Sequence, residues 1–430
     1  MKVVIMAGGK GTRISSLSKD IPKPLLMIEG KPILEHEIEC LRNQGFTDII
    51  LTVGHLGSKI VEYFGDGSKV SPSTGKVFGV HIEYFFEDEP LGNAGALFKL
   101  KDKLKEDFLL LNADVMFDVD FHKFVQFHKN HKGLVSLFTH PNNHPYDSGL
   151  IIADENCVVQ QWLSKEENRP EYYKNRVNAG LHVISPKVLE MEIKTPRIDL
   201  DRQVLKPLAG TGRMYCYDSP EYVRDMGTPE RYYLVCDDFR SGKITRKNLK
   251  NKQCAIFLDR DGTINKYVGF LKNIKKFELL EGVAEAIKKI NDLGYLAIII
   301  SNQPVLARGD ITRSELEDIH NKMETLLGQG GAYLDGIFFC PHHPDKGYDG
   351  EIISLKIDCD CRKPKPGMLL EAAKKFNISL EQSWMIGDSK NDILAGMAAG
   401  CKTALVCEEY SAFNQDVTVN SLLEFVNFYL

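Results

Sequence analysis

The sequence predicts an α/β protein with two doubly wound parallel-sheet domains, and three observations support this prediction. Strand-like apolar runs alternate with segments of helical apolar spacing in both halves of the chain. Each half opens with a buried-type strand that leads into a loop, KVVIMAGG at the start and CAIFLDRD from residue 254. A polar, basic stretch without apolar period separates the halves. We therefore predict domains over 1–236 and 254–430, joined by a solvated linker over 237–253.

The individual elements follow the same alternation. In the first half, KVVIMA, DIILTVGH, HIEYFFE and FLLLNAD are predicted strands, and PILEHEIECLRNQG is a helix that ends near Gly45. In the second half, CAIFLDRD, YLAIIISNQ, DGIFFC, SWMIGD and KTALV are strands. The helices between them are VAEAIKKINDLG, ELEDIHNKMETLL, MLLEAAKKF and DILAGMAAG. The last apolar run, SLLEFVNFYL, predicts a helix that packs on the core.

Composition and charge exclude several classes of function. A formal net charge of -5 argues against nucleic-acid binding and against a polybasic membrane contact. No apolar run approaches the roughly 20 residues that a membrane-spanning helix requires, and the N-terminus lacks a signal-peptide cleavage pattern. The 10 cysteines are mostly scattered singly, as in a reducing compartment. We therefore expect a cytoplasmic protein without a nucleic-acid or membrane partner.

A glycine loop near the N-terminus, AGGKGTRISSLSKDIPKP, predicts a phosphate site. Gly8, Gly9 and Gly11 let the backbone approach a ligand, and their N–H groups can cradle an anion. Arg13 and Lys23 add positive charge, and a proline on each side of the lysine stiffens its setting. The string resembles the signature of sugar-1-phosphate nucleotidylyltransferases, a Rossmann-like family. The resemblance implies that Arg13 and Lys23 stabilise a nucleotide α-phosphate during transfer.

Further segments resemble this family in the same order. Gly92, in EDEPLGNAGAL, falls in the base-contacting segment of the guanylyltransferase branch. Lys165 stands where the sugar-phosphate lysine is expected, and Asn178 falls in the sugar-contacting strand VNAGLHVIS. Asp114 of LNAD and Asp225 of YVRDMGTPERY are the carboxylates expected to bind Mg²⁺. The implied substrates are GTP and a sugar 1-phosphate, and self-association of the family leaves a homo-oligomer open.

An aspartate pair opens the second half. Asp259 and Asp261, in AIFLDRDGTIN, follow a predicted buried strand. One carboxylate can attack phosphorus while the other protonates the leaving oxygen, and charges this close require a cation such as Mg²⁺. The DxDGT motif resembles the haloacid dehalogenase (HAD) phosphatase superfamily, which has a Rossmann-like fold. The sequence therefore predicts a phosphatase site at this strand end.

The resemblance to HAD phosphatases extends to later motifs. Ser301 and Asn302, in IIISNQ, are expected to bind the transferring phosphoryl group. Arg362 and Lys363, in CRKPKPG, are the expected cationic substrate contacts. IGDSKND supplies Asp388, which together with Asp259 and Asp261 is expected to hold Mg²⁺. The position of Asp392 in the same motif indicates a supporting carboxylate.

A cluster of metal-ligand residue types precedes the CRKPKPG motif. Cys340, His342, Cys359 and Cys361 form C-x-H…C-x-C, a closed donor set for structural zinc. A redox pair would more naturally be C-x-x-C, and His343 is an alternative ligand to His342. Such a zinc ion would fix a loop beside the phosphatase site.

The segment from Cys254 to Val406 resembles D-glycero-D-manno-heptose 1,7-bisphosphate phosphatases, and histidinol-phosphate phosphatases are the nearest alternative. Together the halves indicate a bifunctional enzyme that forms GDP-D-glycero-α-D-manno-heptose for surface glycans. A second hypothesis keeps both activities but uses mannose 1-phosphate or another hexose 1-phosphate. A third is a sugar-nucleotide-binding regulator without turnover, against which the intact carboxylates argue.

Overall fold

The computed structural model describes residues 1–9, 20–87, 89, 91–195, 197–407 and 412–430. These residues form two compact units, and the chain alternates between them. Unit 1 comprises Met1–His140, Gly149–Leu163 and Asn178–Asn248. Unit 2 comprises Pro141–Ser148, Ser164–Val177 and Leu249–Leu430.

Unit 1 is built on a mixed nine-stranded sheet. Its strands are β1 (Val3–Ala7), β4 (Asp48–Val53), β5 (His81–Phe86), β6 (Phe108–Asn112), β8 (Val135–His140), β9 (Leu150–Ala153), β10 (Val159–Leu163), β11 (Val177–Ile184) and β12 (Met214–Asp218). A small hairpin pairs β2 (Met27–Ile28) with β3 (Lys31–Pro32), and a separate ribbon pairs β7 (Val115–Asp118) with β13 (Tyr222–Asp225). The main order is β10-β9-β11-β6-β1-β4-β5, with β1 parallel to both β4 and β6. The antiparallel pairing of β11 with β6 departs from the purely parallel sheet that the sequence predicts.

Apolar side chains on both faces bury this sheet. Val3 and Ile5 belong to one buried cluster and Val4 to another, because successive strand residues point to opposite faces. The helices of unit 1 are α1 (Ile33–Arg42), α2 (Gly57–Phe64), α3 (Gly95–Lys99), α4 (Phe121–His131), α5 (Pro229–Arg240) and α6 (Lys243–Arg246). The last two pack on the small hairpin and the β7–β13 ribbon. The carboxyl ends of β1 and β6 therefore meet at one edge, where a ligand site is expected.

Unit 2 contains a six-stranded parallel sheet in the order β16-β15-β14-β17-β18-β19. The strands are β14 (Ala255–Leu258), β15 (Leu296–Asn302), β16 (Gly336–Cys340), β17 (Trp384–Gly387), β18 (Lys402–Val406) and β19 (Val417–Val419). The helices are α7 (Val283–Leu293), α8 (Arg313–Gln329), α9 (Gly367–Phe376), α10 (Lys390–Ala399) and α11 (Leu422–Tyr429). Ile256 and Phe257 again fall in different clusters, so both sheet faces are covered. The doubly wound α/β class is confirmed for both halves.

The order of connections in unit 2 creates a topological switch point. The chain leaves β14 for β15 on one side and later returns to β17 on the other side of β14. Ligands bind outside the carboxyl ends of the strands at such a point. The C-terminal helix packs on the core as predicted, with Leu422, Phe425 and Val426 buried.

The stretch predicted as a solvated linker, 237–253, is largely structured. It contains the end of α5 and all of α6, and Lys243, Ile244 and Leu249 are buried. The polar composition is accommodated by internal pairing, since the buried carboxylate of Asp238 accepts from Tyr222 at 2.8 Å. The division between the units falls within this stretch, after Asn248.

None of the helices in the described part of the chain has the length and apolar character needed to cross a bilayer.

Two segments that the sequence places in the first domain fold with unit 2. Residues 141–148 and 164–177 pack there beside α8. The backbone N–H of Tyr173 donates to Oγ1 of Thr325 at 2.9 Å, and that hydroxyl lies 3.1 Å from the carbonyl of Tyr173. The N–H of Asn175 donates to Oε2 of Glu324 at 2.8 Å. These segments carry no apolar period, so their partner could not be read from the sequence.

Candidate active sites

The site of unit 1 lies where β1 and β6 end. Gly8 and Gly9 follow β1, and Asp114 follows β6. The Nζ atom of Lys23 lies 2.5 Å from Oδ2 of Asp114, and the lysine side chain is only 9% exposed. Gly11 and Arg13 lie outside the described residues. The structure thus brings together the glycine loop's start, the lysine and one predicted metal carboxylate.

The second carboxylate reaches the same place through the β7–β13 ribbon. Asp225 is opposite Val115 in the ladder, and the N–H of Met226 donates to the carbonyl of Asp114 at 3.0 Å. Arg231 lies 2.6 Å from Oδ2 of Asp225. Burial raises the pKa of Asp225, but Arg231 outweighs it and the net shift is downward. Both carboxylates are therefore paired with cations at this edge.

The base-contacting segment is positioned by tight backbone contacts. Gly92 has φ +82°, and a Cβ atom on it would lie 2.3 Å from the carbonyl oxygen of Ile198. Oδ1 of Asn93 accepts from the N–H of Leu200 at 2.7 Å. A Cβ on Gly8 would lie 2.6 Å from Oε1 of Glu87, so the carboxylate of Glu87 lies next to Gly8. Glycine is required at position 92 by the positive φ and the backbone contact, whereas at position 8 the flexible Glu87 side chain can move aside.

The two predicted sugar contacts differ in location. Asn178 lies on β11, and its Oδ1 is 3.2 Å from Nε2 of buried His182. Lys165 belongs to unit 2, where its ammonium lies 3.1 Å from Oδ1 of Asp147 at the surface. The two predicted sugar contacts therefore belong to different units, Asn178 to unit 1 and Lys165 to unit 2.

One residue near this site was missed by sequence reasoning. Glu37 on α1 is fully buried, and neither of its carboxylate oxygens has a hydrogen-bond partner within the described ranges. Burial, followed by the negative charge of Asp114, holds the pKa of Glu37 well above its usual range. The available signal was its position three residues after Leu34 and four before Leu41, within the apolar stripe of the helix.

The site of unit 2 centres on a buried lysine. Nζ of Lys363 lies 2.7 Å from Oδ1 of Asp259 and 2.5 Å from Oδ1 of Asp392, and it donates to the carbonyl of Ile300 at 2.7 Å. Burial raises the pKa of Asp259 to about 7, although Lys363 lowers it. Burial lowers the pKa of Lys363, but the two carboxylates outweigh it and the net shift is upward. The lysine is therefore a fixed positive charge beside the first aspartate of the motif.

Asp261 is held by a separate group of donors. Nη2 of Arg260 lies 2.7 Å from its Oδ2, and Nε2 of Gln303 lies 3.0 Å from the same atom. Asn265 donates to Oδ1 at 3.0 Å. Burial raises the pKa of Asp261, but Arg260 and the hydrogen bonds outweigh it and the net shift is downward. Arg260 is itself fully buried, and its role was not anticipated from the sequence.

The predicted phosphoryl-binding residues line one cavity with these carboxylates. The cavity has a volume of about 320 Å³ and includes Ser301, Asn302, Arg362 and Lys363 in its wall. The side-chain amide of Asn302 exchanges two 3.0 Å hydrogen bonds with the backbone of Lys363, so the end of β15 fixes the lysine segment. The rim of the cavity includes the loop Tyr267–Leu271, which we call the rim loop.

The carboxylates that can share a metal ion differ from the predicted set. Ligand atoms of Asp259, Asp388 and Asp392 lie within 4.8 Å of one another, and among the described residues that group does not include Asp261. The donors that hold Asp261 explain the difference. Burial raises the pKa of Asp388 to about 6, and Asp392 adds to this effect. Gly262 leaves room for Asp388, since a Cβ there would lie 2.0 Å from its Oδ2.

The predicted cysteine and histidine ligands converge. Sγ of Cys361 lies 3.2 Å from Sγ of Cys340 and of Cys359, and 3.3 Å from Nδ1 of His342. These separations approach the edge of a tetrahedron with metal–sulfur bonds of about 2.3 Å, whose edge is roughly 3.8 Å. His343 does not join the group, and its Nδ1 instead accepts from the N–H of Asp345. We call Cys340–Cys361 the cysteine loop.

These two sites, each at the carboxyl ends of parallel strands, define a bifunctional enzyme with a nucleotidyltransferase unit and a HAD-like phosphatase unit. The nucleotidyl transferase family model matches residues 2–241, more than half of the chain, and a HAD-hydrolase-like model matches residues 360–414. The chain belongs to the nucleotidyl transferase family, and its second half belongs to the family of heptose-bisphosphate 7-phosphatases.

The relatives and solved structures that are similar to this chain cover different parts of it. D-glycero-beta-D-manno-heptose-1,7-bisphosphate 7-phosphatase of Haemophilus ducreyi is 39% identical over 40% of this chain and 96% of that protein. Mannose-1-phosphate guanyltransferase of Saccharomyces cerevisiae is 32% identical over 58% of this chain and 65% of that protein. The crystal structure of HddC from Yersinia pseudotuberculosis matches with a TM-score of 0.46 and 27% identity, over 55% of this chain and 99% of that one.

Proposed function

We propose that this enzyme makes a nucleotide-activated heptose in two reactions. Unit 2 removes the 7-phosphate of D-glycero-D-manno-heptose 1,7-bisphosphate, and unit 1 transfers GMP from GTP to D-glycero-α-D-manno-heptose 1-phosphate. The observation that carries the proposal is the Lys363 ammonium held against Asp259 at the wall of a 320 Å³ cavity. Similarity to the Haemophilus phosphatase supports the bisphosphate, and similarity to the yeast guanyltransferase supports GTP.

In the proposed hydrolysis, a carboxylate oxygen of Asp259 attacks the phosphorus of the 7-phosphate. The bond from phosphorus to the sugar oxygen breaks, and Asp261 delivers a proton to that oxygen. Water then attacks the aspartyl phosphate, Asp261 takes its proton, and inorganic phosphate leaves. Lys363 balances the charge of the transferring group. Because Asp261 is ionised in the substrate-free site, the approach of the anionic phosphate must first raise its pKa so that it takes up a proton.

In the proposed transfer, an oxygen of the sugar 1-phosphate attacks the α-phosphorus of GTP. The bond to the β-phosphate oxygen breaks, and pyrophosphate leaves. Lys23, held at the site by Asp114, stabilises the charge that develops on the α-phosphate, and Arg13 is proposed to share this role. Gly92 and Asn178 are proposed to contact the base and the sugar.

Oxygen-only donor sets at both sites fit Mg²⁺. Asp259 and Asp388 would hold the ion in unit 2, with Asp392 committed to Lys363 and to the N–H of Ser389. Asp114 and Asp225 would hold it in unit 1. When bound, Mg²⁺ offsets the repulsion between carboxylates and phosphate.

The donor set of the cysteine loop fits Zn²⁺, because three thiol sulfurs and one imidazole nitrogen lie close together and leave no open coordination position. Its role would be structural.

One incubation tests the proposal. The purified chain, Mg²⁺, GTP and D-glycero-α-D-manno-heptose 1,7-bisphosphate are combined, and the products are read by mass spectrometry, with the β anomer in parallel because the phosphatase relatives carry it in their name. We expect inorganic phosphate, pyrophosphate and GDP-heptose. Phosphate without GDP-heptose would refute the assigned sugar or nucleotide of unit 1.

A second candidate for unit 1 is mannose 1-phosphate guanylyl transfer, which the yeast relative's name favours. An incubation of the chain with only mannose 1-phosphate and GTP distinguishes the two candidates. GDP-mannose formed faster than GDP-heptose at equal substrate concentration would select this alternative.

A further inference from the structure

Arg308 lies between two aromatic rings that belong to different loops of unit 2. Its guanidinium carbon is 4.3 Å from the ring centroid of Phe270 and 4.3 Å from that of Tyr348. Its Nε lies 3.0 Å from Oδ2 of Asp310. A planar guanidinium can stack on aromatic rings while its edge keeps an ion pair, which an ammonium cannot do. Arg308 therefore joins two loops that the backbone ladder does not connect.

The first of these loops is the rim loop, Tyr267–Leu271. Phe270 lines the cavity and is 48% exposed as a residue, and the guanidinium of Arg308 packs against its ring. A second tie lies just beyond the loop, where Lys272 pairs with Oδ1 of Asp310 at 2.6 Å. Asp310 thus binds both Arg308 and the end of the rim loop. The wall of the cavity at this point depends on residues 308–310.

The second loop is the cysteine loop, Cys340–Cys361. Tyr348 lies on it, and the N–H of Ile352 donates to the carbonyl of Ala307 at 3.0 Å. Gly309 has φ +69°, and a Cβ there would lie 1.9 Å from the carbonyl oxygen of Gly350. The chain around Arg308 is therefore in close backbone contact with the cysteine loop. A movement of the cysteine loop would therefore displace Arg308.

We propose that Arg308 is a positioning residue that fixes Phe270 at the cavity rim against the cysteine loop, and thereby sets the preference for extended sugar bisphosphates over small phosphorylated compounds such as acetyl phosphate. The inference rests on the proposed phosphatase function. The reacting phosphoryl group is bound at Asp259 and Lys363, whereas the rim meets the part of the substrate that does not react. Interactions with that remote part determine discrimination between substrates.

The test compares two substrates in the full chain with Mg²⁺ bound. Heptose 1,7-bisphosphate is long enough to meet the rim, and acetyl phosphate is too small to do so. In Arg308→Lys, we expect KM for the bisphosphate to rise about fivefold, as loss of two stacking contacts predicts, with kcat within about twofold. Kinetics with acetyl phosphate should not change. Arg313→Lys, at the surface pair with Glu317 on α8, is the matched control and should leave both substrates unchanged.

Different outcomes of this test contradict the proposed phosphatase function and the positioning role of Arg308. If the unaltered chain releases no phosphate from the bisphosphate, the proposed function fails. If the unaltered chain does release phosphate, but Arg308→Lys changes KM equally for both substrates or for neither, the positioning role fails. Zinc content and the thermal midpoint report on folding. Should Arg308→Lys not fold, Phe270→Leu replaces it, and an unchanged KM for the bisphosphate in that variant overturns the proposal.

Discussion

Nζ of Lys363 lies 2.7 Å from Oδ1 of Asp259, although 104 positions of sequence separate the two residues. Both side chains are buried, and the carbonyl of Ile300 takes a further hydrogen bond from the ammonium. A buried charge pair of this kind is costly to break, because removing one partner leaves the other uncompensated. The site therefore depends on the lysine for both charge and stability.

Replacing Lys363 should affect both properties. In Lys363→Met, we expect phosphate release to fall at least about 1000-fold, because the charge beside the nucleophile is lost. The free energy of unfolding of unit 2 should fall by about 3 kcal/mol. Phosphate release and thermal unfolding measure these effects. Lys365→Met, which removes a surface ammonium 2.8 Å from Asp358, is the control and should change neither. A variant of Lys363 with near-normal turnover would contradict the assigned role.

Replacing Lys23 should impair the transfer reaction of unit 1 and leave the phosphatase reaction of unit 2 intact. Lys23→Met leaves Asp114 without its cation and removes charge from the α-phosphate position. We expect pyrophosphate release to fall by about 100-fold or more, with phosphate release from the bisphosphate retained. Exposed Lys99, replaced in the same way, is the control. Loss of both activities in Lys23→Met would indicate a folding defect and not a role in transfer.

The zinc ion proposed for the cysteine loop should be lost when one of its proposed ligands is changed. In Cys359→Ser, we expect bound zinc to fall from about one ion per chain toward zero and the melting temperature of unit 2 to decrease, since metal binding contributes to folding. Elemental analysis and thermal unfolding report these changes. Cys254→Ser lies in the same unit but outside the ligand group and should retain the metal. Zinc retained in full by Cys359→Ser would refute the ligand assignment.

His182 should make unit 1 sensitive to acid. Burial lowers the pKa of His182 to about 4, whereas an unfolded histidine titrates near 6.5. Below pH 6.5 the unfolded state binds a proton that the folded state does not, so stability is full above this pH and is lost progressively toward pH 4. By pH 5 the loss is about 2 kcal/mol.

Denaturant unfolding at pH 7.5 and pH 5 checks this prediction. In His182→Gln, the difference in unfolding free energy between the two pH values should shrink by about 2 kcal/mol. Glutamine keeps a donor for Oδ1 of Asn178, which His182 faces at 3.2 Å. Exposed His122, changed to glutamine, should leave the difference as it was. An unaltered difference in His182→Gln would contradict burial as the cause.

The parts of both sites that could be predicted from the sequence are those that lie in continuous motifs. Asp259 and Asp388 follow strands of a parallel sheet and Ser301 lies at the end of β15, so their convergence follows from topology alone. The spacing of Cys340, His342, Cys359 and Cys361 also predicted that these four residues converge in the cysteine loop. The roles of Arg260 and Arg308 were not predicted, because they depend on which side chains tertiary packing places beside them.

The division of the chain was also only partly predictable. Composition predicted a linker over 237–253, and the change of unit after Asn248 falls within that range. A polar stretch does not reveal that Asp238 and Lys243 are buried together. Residues 164–177 carry no helical or strand period. Their partners on α8, Thr325 and Glu324, are bound through backbone N–H groups, which leave no trace in side-chain pattern.

The interleaving of the two units in sequence has a consequence for how such a chain can be inherited or engineered. The chain passes between the units after residues 140, 148, 163, 177 and 248. A recombination event with a single crossover at the obvious boundary would transplant residues 249–430 without 141–148 and 164–177, and α8 would then expose the surface around Thr325. Neither unit can therefore be exchanged as one contiguous stretch of sequence. A functional transplant of the phosphatase would have to bring these two short segments with it.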